Sequence, residues 1–404
     1  MSVSARFAWA MAGCDPGLAP LGLAVSGGGD SMALMHLAAD WADGRALHVA
    51  TIDHGLRADS ATEAASVARA ARALGLSHTI LHWTGWDGRG NLQQAARDAR
   101  RHLLAGWARD AGLGAIALGH TQDDQAETVL LRLARGSGVD GLAAMAPRTK
   151  AHGIQWLRPL LGHSRAELRD WLRARGLGWV DDPSNDNPDF DRIKARRILT
   201  ELAPLGMSAA RLARSAQHMQ DARDVLERAA EDAAQGVMRL DHGDIVFDAP
   251  ALDALPRDTR DRLVTRALCA IASRPYRPRL RALHEALAVR KATLHGCLLT
   301  RKSGCLRITR EAQAVAGLRA PLHARWDQRW RILPPRRPLP DRLEIGALGA
   351  QGLQQCPDRA DWCLPRPSLL ASPAIWDGAR LIAAPLAGMG KDWRAVLSDS
   401  PIVA

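Results

Sequence analysis

One short segment near the N-terminus has the composition of a phosphate-binding loop. Ser26-Gly27-Gly28-Gly29-Asp30-Ser31 follows an apolar run, Leu21–Val25, and precedes a stretch of helical character from Met32 to Trp41. Three successive glycines allow backbone conformations that other residues avoid, so their N–H groups can surround an anion at a helix N-terminus. No Gly-Lys-Ser/Thr follows, which excludes a Walker A motif. A Gly/Ser turn without a ligand is the alternative interpretation.

A second segment supplies acidic side chains at the start of another helix. It reads Gly119-His120-Thr121-Gln122-Asp123-Asp124-Gln125-Ala126-Glu127-Thr128 and comes directly after a short apolar run. His120, Asp123 or Asp124, and Glu127 recur at helical spacing, which predicts that they share one helical face. Clustered carboxylates suit Mg²⁺ held against phosphates, and they also suit an ammonium group. The alternative is an acidic helix start that only the helix dipole favours.

Apolar runs and amphipathic stretches alternate through the first half of the chain, which predicts an α/β fold. Strands are expected at 21–25, 47–52, 78–83 and 115–118, and helices at 32–41, 62–74, 91–111 and 121–135. Such alternation favours a parallel, doubly wound sheet of Rossmann-like type. Ligands of these sheets bind beyond the carboxyl ends of the strands. We therefore expect the loops at 26–31, 53–57 and 119–124 to lie together.

The rest of the chain is predicted to form a helical domain and a small α+β or β-rich C-terminal region. Ser164-Arg165-Ala166-Glu167 has the capping-box pattern and begins a helix to about Arg175, and a loop follows over 180–191. Further helices are expected at 208–238, 258–273 and 277–290, and a hairpin at 296–300 and 306–309. The expected domain boundaries are 1–205, 206–315 and 316–404.

Composition limits the kind of protein. The 404 residues carry a formal net charge of +11, which favours a polyanionic partner. The six cysteines include no Cys-x-x-Cys pair, so neither an iron–sulfur cluster nor a zinc site is expected. No apolar run approaches the roughly 18 residues that cross a bilayer, so no membrane association is expected. The apolar stretch Phe7–Cys14 is interpreted as an N-terminal helix instead of a secretory signal, and we expect a cytoplasmic protein.

The motifs also match a known family. Ser26–Ser31 resembles the PP-loop of the N-type ATP pyrophosphatases, which implies ATP cleavage between the α and β phosphates. Together with His120–Thr128 and Asp53-His54-Gly55-Leu56-Arg57, it resembles the bacterial tRNA(Ile)-lysidine synthases. The resemblance is continuous over about 20–200, weaker over 200–310, and includes matching segments at 91–100, 158–161, 182–185 and 192–196. The sequence departs from the usual family pattern at Arg101, Ile193 and Ala195. These differences concern the detailed structure of the loop at 181–197 and not the chemistry that the core motifs imply.

The resemblance implies a reaction, its cofactors and its partners. ATP, with Mg²⁺, adenylates the C2 oxygen of the wobble cytidine in a tRNA(Ile) with a CAU anticodon. An amino group of free L-lysine then attacks C2 and expels AMP, which gives lysidine. The resemblance implies that residues 1–205 form the PP-loop ATP pyrophosphatase catalytic domain. It also implies a helical tRNA-binding domain at 206–315 and a further region at 316–404 that contributes to tRNA binding. The sequence leaves the oligomeric state open, with a homodimer as one outcome.

Site residues follow from the same resemblance. The expected catalytic residues are Asp30, His120, Asp123, Asp124 and Glu127, with Asp124 and Glu127 as Mg²⁺ ligands. The expected ATP-binding residues are Ser26, Gly27, Gly28, Gly29, Asp30, Ser31, Asp53, Arg57 and Arg97. The expected tRNA contacts are Arg100, Arg192, Lys194, Arg196 and Arg197. For the arginines of both sets, a solvated basic helix face is the alternative.

Three other classes of protein share part of this pattern. A PP-loop tRNA thiolase usually needs paired cysteines, and none lies near the motifs. An amidating ligase with a fused glutaminase would need a nucleophilic cysteine in a Gly-x-Cys-x-Gly element, which is lacking. A tRNA-binding protein with a vestigial loop would have no need to keep Asp30 and Ser31. Lysidine synthesis is therefore the preferred hypothesis, with the thiolase as the alternative.

Overall fold

The chain forms two compact units, Met1–Arg223 and Asp224–Ala404, in a computed structural model. The structure describes residues 1–15, 17, 19–53, 55, 60–83, 92–180, 191–274, 276–357 and 359–398. No helix in these ranges is long and apolar enough to span a bilayer. The expected division into three domains at 205 and 315 stays a prediction.

The first unit is built on a six-stranded sheet. Its strands are β1 (Leu21–Ala24), β2 (Leu47–Asp53), β3 (Ser77–His82), β4 (Ala115–Leu118), β5 (Arg148–Ala151) and β6 (Ile154–Leu157). Their order is β3-β2-β1-β4-β6-β5, and all neighbours are parallel except the β5–β6 hairpin. The predicted parallel sheet is confirmed, whereas β5 and β6 were not anticipated from the sequence.

Eight helices among the described residues connect and flank these strands. They are α1 (Val3–Cys14), α2 (Gly29–Trp41), α3 (Ser60–Ala73), α4 (Leu92–Asp110), α5 (Gln122–Ala134), α6 (Val139–Leu142), α7 (Arg165–Arg173) and α8 (Asp191–Leu202). The N-terminal helix is confirmed as α1. Helix α2 begins three residues before the predicted Met32, because the last glycine of the loop already has helical geometry.

Packing on both faces confirms the doubly wound arrangement. Side chains alternate along a strand, so Leu21 and Leu23 of β1 belong to one apolar cluster and Ala24 to another. The first cluster contains residues of α1, α2, α3 and α7, and the second contains residues of α4. All four residues of β1 are buried, as in parallel strands that are covered on both faces.

Strand register places two of the three predicted loops side by side, whereas most of the third, at 53–57, lies outside the described residues. Leu21 to Ala24 of β1 pair with Ala115 to Leu118 of β4, so the strands end at the same level. Ser26 leaves β1 and Gly119 leaves β4 at this edge. The carboxyl ends of the strands thus bring the glycine loop and the acidic helix α5 together, as a parallel sheet requires.

The strands of the second unit pair in antiparallel fashion. Helix α9 (Ala209–Val237) crosses the division between the units and confirms the helix predicted at 208–238. It is followed by β7 (Met238–Asp241), β8 (Asp244–Asp248), α10 (Ala249–Ala254), α11 (Arg257–Ala272), α12 (Leu280–Leu287), β9 (Lys291–Leu294), β10 (Cys297–Lys302) and β11 (Cys305–Arg310). The five strands form one sheet of order β7-β8-β11-β10-β9, and the predicted hairpin is β10–β11. Helix α12 is shorter than the predicted 277–290 at both ends, and at its start Pro278 disfavours helical backbone at Arg277.

The C-terminal part of this unit contains two smaller sheets. Its elements are α13 (Ala312–Val315), β12 (Arg319–Pro321), β13 (Trp330–Leu333), β14 (Glu344–Ala347), α14 (Gly349–Leu353), α15 (Arg366–Leu370), β15 (Pro373–Asp377), β16 (Arg380–Ala383) and β17 (Arg394–Leu397). A four-stranded sheet has the order β12-β14-β15-β16, and β13 pairs with β17. This confirms the expected β-rich C-terminal region.

Candidate active site

The glycine loop is held in shape by its two serines. The Ser26 N–H donates a hydrogen bond to Ser31 Oγ at 3.1 Å, and the Ser31 hydroxyl donates to the Gly28 carbonyl at 2.9 Å. The two hydroxyl oxygens lie 3.2 Å apart. Gly27 has a φ of +94°, a conformation that side chains disfavour. The glycine at this position is therefore required by the turn itself.

The N-terminus of α2 is suited to an anion. Gly28 is its N-cap residue and has no side chain to accept hydrogen bonds from the first turn. The backbone N–H groups of that turn, together with the helix dipole, favour a negatively charged ligand. The loop thus has the chemistry of an anion site, and its contact with pyrophosphate stays a prediction.

The start of α5 is fixed by a capping box. Thr121 Oγ1 accepts from the Asp124 N–H, and Asp124 Oδ2 accepts from the Thr121 N–H at 2.8 Å. His120 precedes the helix, so the predicted helical face contains only the acidic residues. Asp123 points elsewhere, since its Oδ2 accepts from the backbone N–H of Arg165 at 2.7 Å.

Arg165 joins three of the carboxylates. Its Nε lies 3.0 Å from Asp30 Oδ2, one terminal nitrogen lies 3.2 Å from Asp124 Oδ1, and the other lies 3.5 Å from Glu127 Oε1. In the sequence Arg165 belongs to a capping-box pattern, and its contact with these carboxylates was not predicted. One signal was available: a cation in the first turn of a helix opposes the helix dipole and needs another reason to be there.

Two carboxylate oxygens of this group have no hydrogen-bond partner among the described residues. They are Asp30 Oδ1 and Glu127 Oε2, and both are buried. Buried oxygens are nearly always paired in folded proteins, because an unpaired one loses its hydration without compensation. These two oxygens are therefore the atoms that a bound cation or proton donor would satisfy.

Burial and charge set the proton affinities of the three carboxylates. Burial raises the pKa of Asp30 and of Glu127, and the nearby arginines offset only part of that rise. Burial would also raise the pKa of Asp124, but Arg165 and the Thr121 hydrogen bond outweigh it and hold this pKa below its usual value. Glu127 therefore binds a proton more readily than Asp124 does.

His120 is a neutral imidazole. Burial lowers its pKa to about 3, an effect that the Asp124 charge only partly opposes. Its Nδ1 is buried and has no partner among the described residues. The ring can therefore exchange hydrogen bonds with a ligand without carrying a charge.

The basic helix α8 divides into two kinds of residue. Arg196 Nε donates to Glu127 Oε1 at 3.0 Å, and Arg192 lies 3.7 Å from Asp124 Oδ1. Lys194 and Arg197 are exposed instead. Of the four expected tRNA contacts on α8, two thus contact the acidic helix instead.

Three of the remaining predicted ATP and tRNA contacts lie on β2 and α4. Asp53 ends β2, and its Oδ1 accepts from the Gly55 N–H at 2.9 Å and from the Ser60 hydroxyl at 2.6 Å. Arg97 and Arg100 are exposed on α4. Arg57 and the segment 182–185 lie outside the described residues.

Known proteins are similar to this chain over most of its length. A family model described as a PP-loop domain matches residues 11–203. The tRNA(Ile)-lysidine synthase of Ruegeria pomeroyi is 48% identical, covering 94% of this chain and 91% of that protein. That of a Methylobacterium species is 43% identical, covering 72% of this chain and 88% of that protein. The chain belongs to the tRNA(Ile)-lysidine synthase family.

Membership of this family makes the chain a ligase that uses ATP. Among solved structures, the U34-tRNA thiolase NcsA of Methanococcus maripaludis aligns with a TM-score of 0.46 and 16% identity, covering 54% of this chain and 80% of that one. A likeness this distant says nothing about the reaction of the lysidine synthase family.

The carboxylates are compatible with Mg²⁺ when phosphate is present. No group of three or more His, Cys, Asp or Glu side chains in the described part of the chain forms a metal cage. Mg²⁺ in nucleotide sites usually takes one or two carboxylates and completes its shell with phosphate and water oxygens. The unpaired Asp30 Oδ1 and Glu127 Oε2 are oxygen donors of that kind.

The close approach of β4 to the loop generates a prediction. A Cβ on Gly119 would lie 3.1 Å from both N and Cα of Ser31, a contact tight enough that the loop backbone must shift to accommodate it. Gly119→Ala should therefore displace the loop and weaken binding of a non-hydrolysable ATP analogue about tenfold in isothermal titration calorimetry. Gly114→Ala, at the other end of β4, is the matched control because its Cβ would meet only Ala19 Cβ at 3.7 Å. Equal affinities in the two variants would contradict the prediction.

Proposed function

We propose that this chain ligates L-lysine to C2 of the wobble cytidine in tRNA(Ile) with a CAU anticodon. The reaction consumes ATP, passes through an adenylated cytidine, and yields lysidine, AMP and pyrophosphate. One observation carries the proposal: Arg165 brings Asp30 of the phosphate loop against Asp124 and Glu127 of the acidic helix. Phosphate and ammonium chemistry can then take place at one centre. The relatives named tRNA(Ile)-lysidine synthase support the same reaction.

The first step is assigned to the loop. The cytidine O2 attacks the α phosphate, and the bond to the β phosphate breaks so that pyrophosphate leaves with the electron pair. The N–H groups at the start of α2 and the hydroxyls of Ser26 and Ser31 would stabilise the charge that develops on pyrophosphate. Asp53, Arg57 and Arg97 remain proposed contacts to the rest of the nucleotide.

The second step is assigned to the acidic helix. Asp124 and Glu127 supply negative charge for the ammonium of free lysine, and Asp123 positions them through its bond to the Arg165 N–H. The attacking amino group must first lose a proton, and Glu127 is the proposed acceptor because burial raises its pKa. Attack on C2 then breaks the bond to the adenylate oxygen, and AMP leaves. The neutral His120 is proposed to hydrogen-bond the cytidine or adenylate during this exchange.

Mg²⁺ is proposed as the metal of the first step. When bound, it would neutralise charge on the phosphates. Asp30 Oδ1 and Glu127 Oε2 are the oxygens available to hold it, and Asp124 was the other expected ligand. Both oxygens of Asp124 already contact Arg165 or Thr121, so we place Asp124 nearer to lysine than to the metal.

The thiolase alternative has no support from the described residues. Cys14 is buried in the apolar cluster of α1, and the other five cysteines follow residue 268 in the second unit. A cytoplasmic location and a homodimer remain predictions from the sequence.

The proposed reaction is tested by its stoichiometry. The full chain is incubated with labelled lysine, ATP and tRNA(Ile) carrying CAU, and we expect one AMP and one pyrophosphate for each labelled nucleoside. Asp124→Asn keeps a cap acceptor but loses the charge, and should lower lysine transfer about 100-fold. Asp170→Asn, an exposed change on α7, is the control. Formation of ADP, or label that never enters tRNA, would reject the proposed function.

The division of α8 predicts two different effects on substrate binding. Replacing exposed Lys194 or Arg197 with Gln should weaken tRNA binding and lower the slope of log affinity against log salt by about 1, with lysine KM unchanged. Arg196→Gln should also raise the lysine KM, because Arg196 holds Glu127. Arg173→Gln on α7 is the control. Unchanged tRNA affinity at every salt concentration in the Lys194 and Arg197 variants would refute their role.

A further inference from the structure

We infer that Arg165 is a positioning residue for both steps of the reaction. Its guanidinium binds one oxygen of Asp30 and one of Glu127, so the other oxygen of each remains available to substrates. The same contacts link the phosphate loop to the acidic helix. This inference rests on the proposed function, which supplies the two steps.

The side-chain contacts link three elements through one group. Asp30 lies in the first turn of α2, Asp124 and Glu127 lie on α5, and Arg165 begins α7. The three nearest nitrogen–oxygen distances, 3.0, 3.2 and 3.5 Å, involve three different nitrogens of the guanidinium. Each carboxylate therefore has its own donor, and a shift of α2 relative to α5 would break at least one contact.

The backbone of Arg165 is fixed independently of its side chain. Its N–H donates to Asp123 Oδ2 at 2.7 Å, and the Gln122 N–H donates to the His163 carbonyl at 2.9 Å. Ser164 caps the same helix by accepting from the Glu167 N–H at 3.2 Å. The starts of α5 and α7 are thus joined through their backbones, which sets the point from which the guanidinium reaches the carboxylates.

Arg165 contacts only one oxygen of Asp30 and only one oxygen of Glu127. Arg165 takes Oδ2 of Asp30 and, with Arg196, Oε1 of Glu127. The other oxygen of each carboxylate, Asp30 Oδ1 and Glu127 Oε2, has no hydrogen-bond partner among the described residues. A carboxylate held by one oxygen presents the other in a defined direction. Arg165 thereby orients the two oxygens that are proposed to hold the metal, of which Glu127 Oε2 is also available to the lysine ammonium.

Electrostatics explains why the residue is an arginine. A cation at the start of a helix is opposed by the helix dipole, so Arg165 is unfavourable for α7 taken alone. Burial lowers the pKa of Arg165, but Asp124, Asp30 and Glu127 more than offset this, so it stays charged. A guanidinium offers donors in a rigid planar fork, whereas a lysine ammonium is a single point charge that cannot span three carboxylates.

A purely structural cross-link is the competing explanation. It would make Arg165 important only because it stabilises α7 and its contacts. Ser164→Ala is the matched control for that case, since it removes the cap of the same helix and leaves the guanidinium in place. Thermal unfolding of the Arg165 and Ser164 variants measures how much stability each one loses.

The test compares Arg165→Gln, Arg165→Lys and Ser164→Ala in the full chain. Two rates are measured: tRNA-dependent exchange of labelled pyrophosphate into ATP without lysine, and lysine transfer at saturating ATP. Arg165→Gln should lower both rates, the second about 100-fold, because misplaced catalytic groups lose effective concentration. Arg165→Lys should recover about tenfold of that loss, because the charge remains and the fork is lost. Ser164→Ala should keep both rates within about threefold at a temperature where it is folded.

Binding gives a readout that does not depend on turnover. Calorimetric titration with L-lysine, in the presence of a non-hydrolysable ATP analogue and tRNA, should show weaker lysine affinity for Arg165→Gln than for Ser164→Ala. The inference is overturned if the two variants lose rate and affinity equally at matched stability, or if Arg165→Gln slows only one of the two steps. Failure of the wild-type chain to form lysidine would instead reject the proposed function.

Discussion

The contact of one guanidinium with three carboxylates is the interaction on which the site depends. Asp30, Asp124 and Glu127 would repel each other if they were brought together in a partly buried place without a cation. Arg165 removes that repulsion while leaving one oxygen of Asp30 and one of Glu127 unpaired. The same interaction therefore stabilises the acidic cluster and leaves two of its carboxylate oxygens open to a ligand.

The order and register of the sheet strands bring the residues of this interaction together. Because β1 and β4 are parallel neighbours that end in register, the phosphate loop and the acidic helix emerge next to each other. Gly119 allows the two backbones to approach closely, and the serines of the loop fix its shape without using the helix N–H groups. The site thus depends on the strand order, on the absence of a side chain at Gly119 and on one partly buried cation, Arg165.

Local patterns predicted the parts of the fold that local physics determines. Leu21–Ala24 and Ala115–Leu118 are strands buried on both faces, so their apolar runs were recognisable. The β5–β6 hairpin was missed because β5 is an exposed edge strand with Arg148 and Lys150. Arg165 was missed for another reason: Asp30 is 135 residues away in the sequence, and no local pattern shows which distant helix start a cation will meet. The predicted carboxylates of Asp30, Asp124 and Glu127 do lie together. The guanidinium of Arg165 that holds them was recognisable only in the tertiary structure.

The most direct test of a single centre for both steps uses ATP labelled at the α phosphate, with the full chain and tRNA(Ile) carrying CAU. Without lysine, the label should accumulate on the tRNA as covalently bound AMP. Addition of lysine should then release it as free AMP and leave lysidine in the tRNA. Label that never reaches the tRNA while ADP is formed, or labelled tRNA that lysine does not discharge, would contradict a shared adenylation and ligation site.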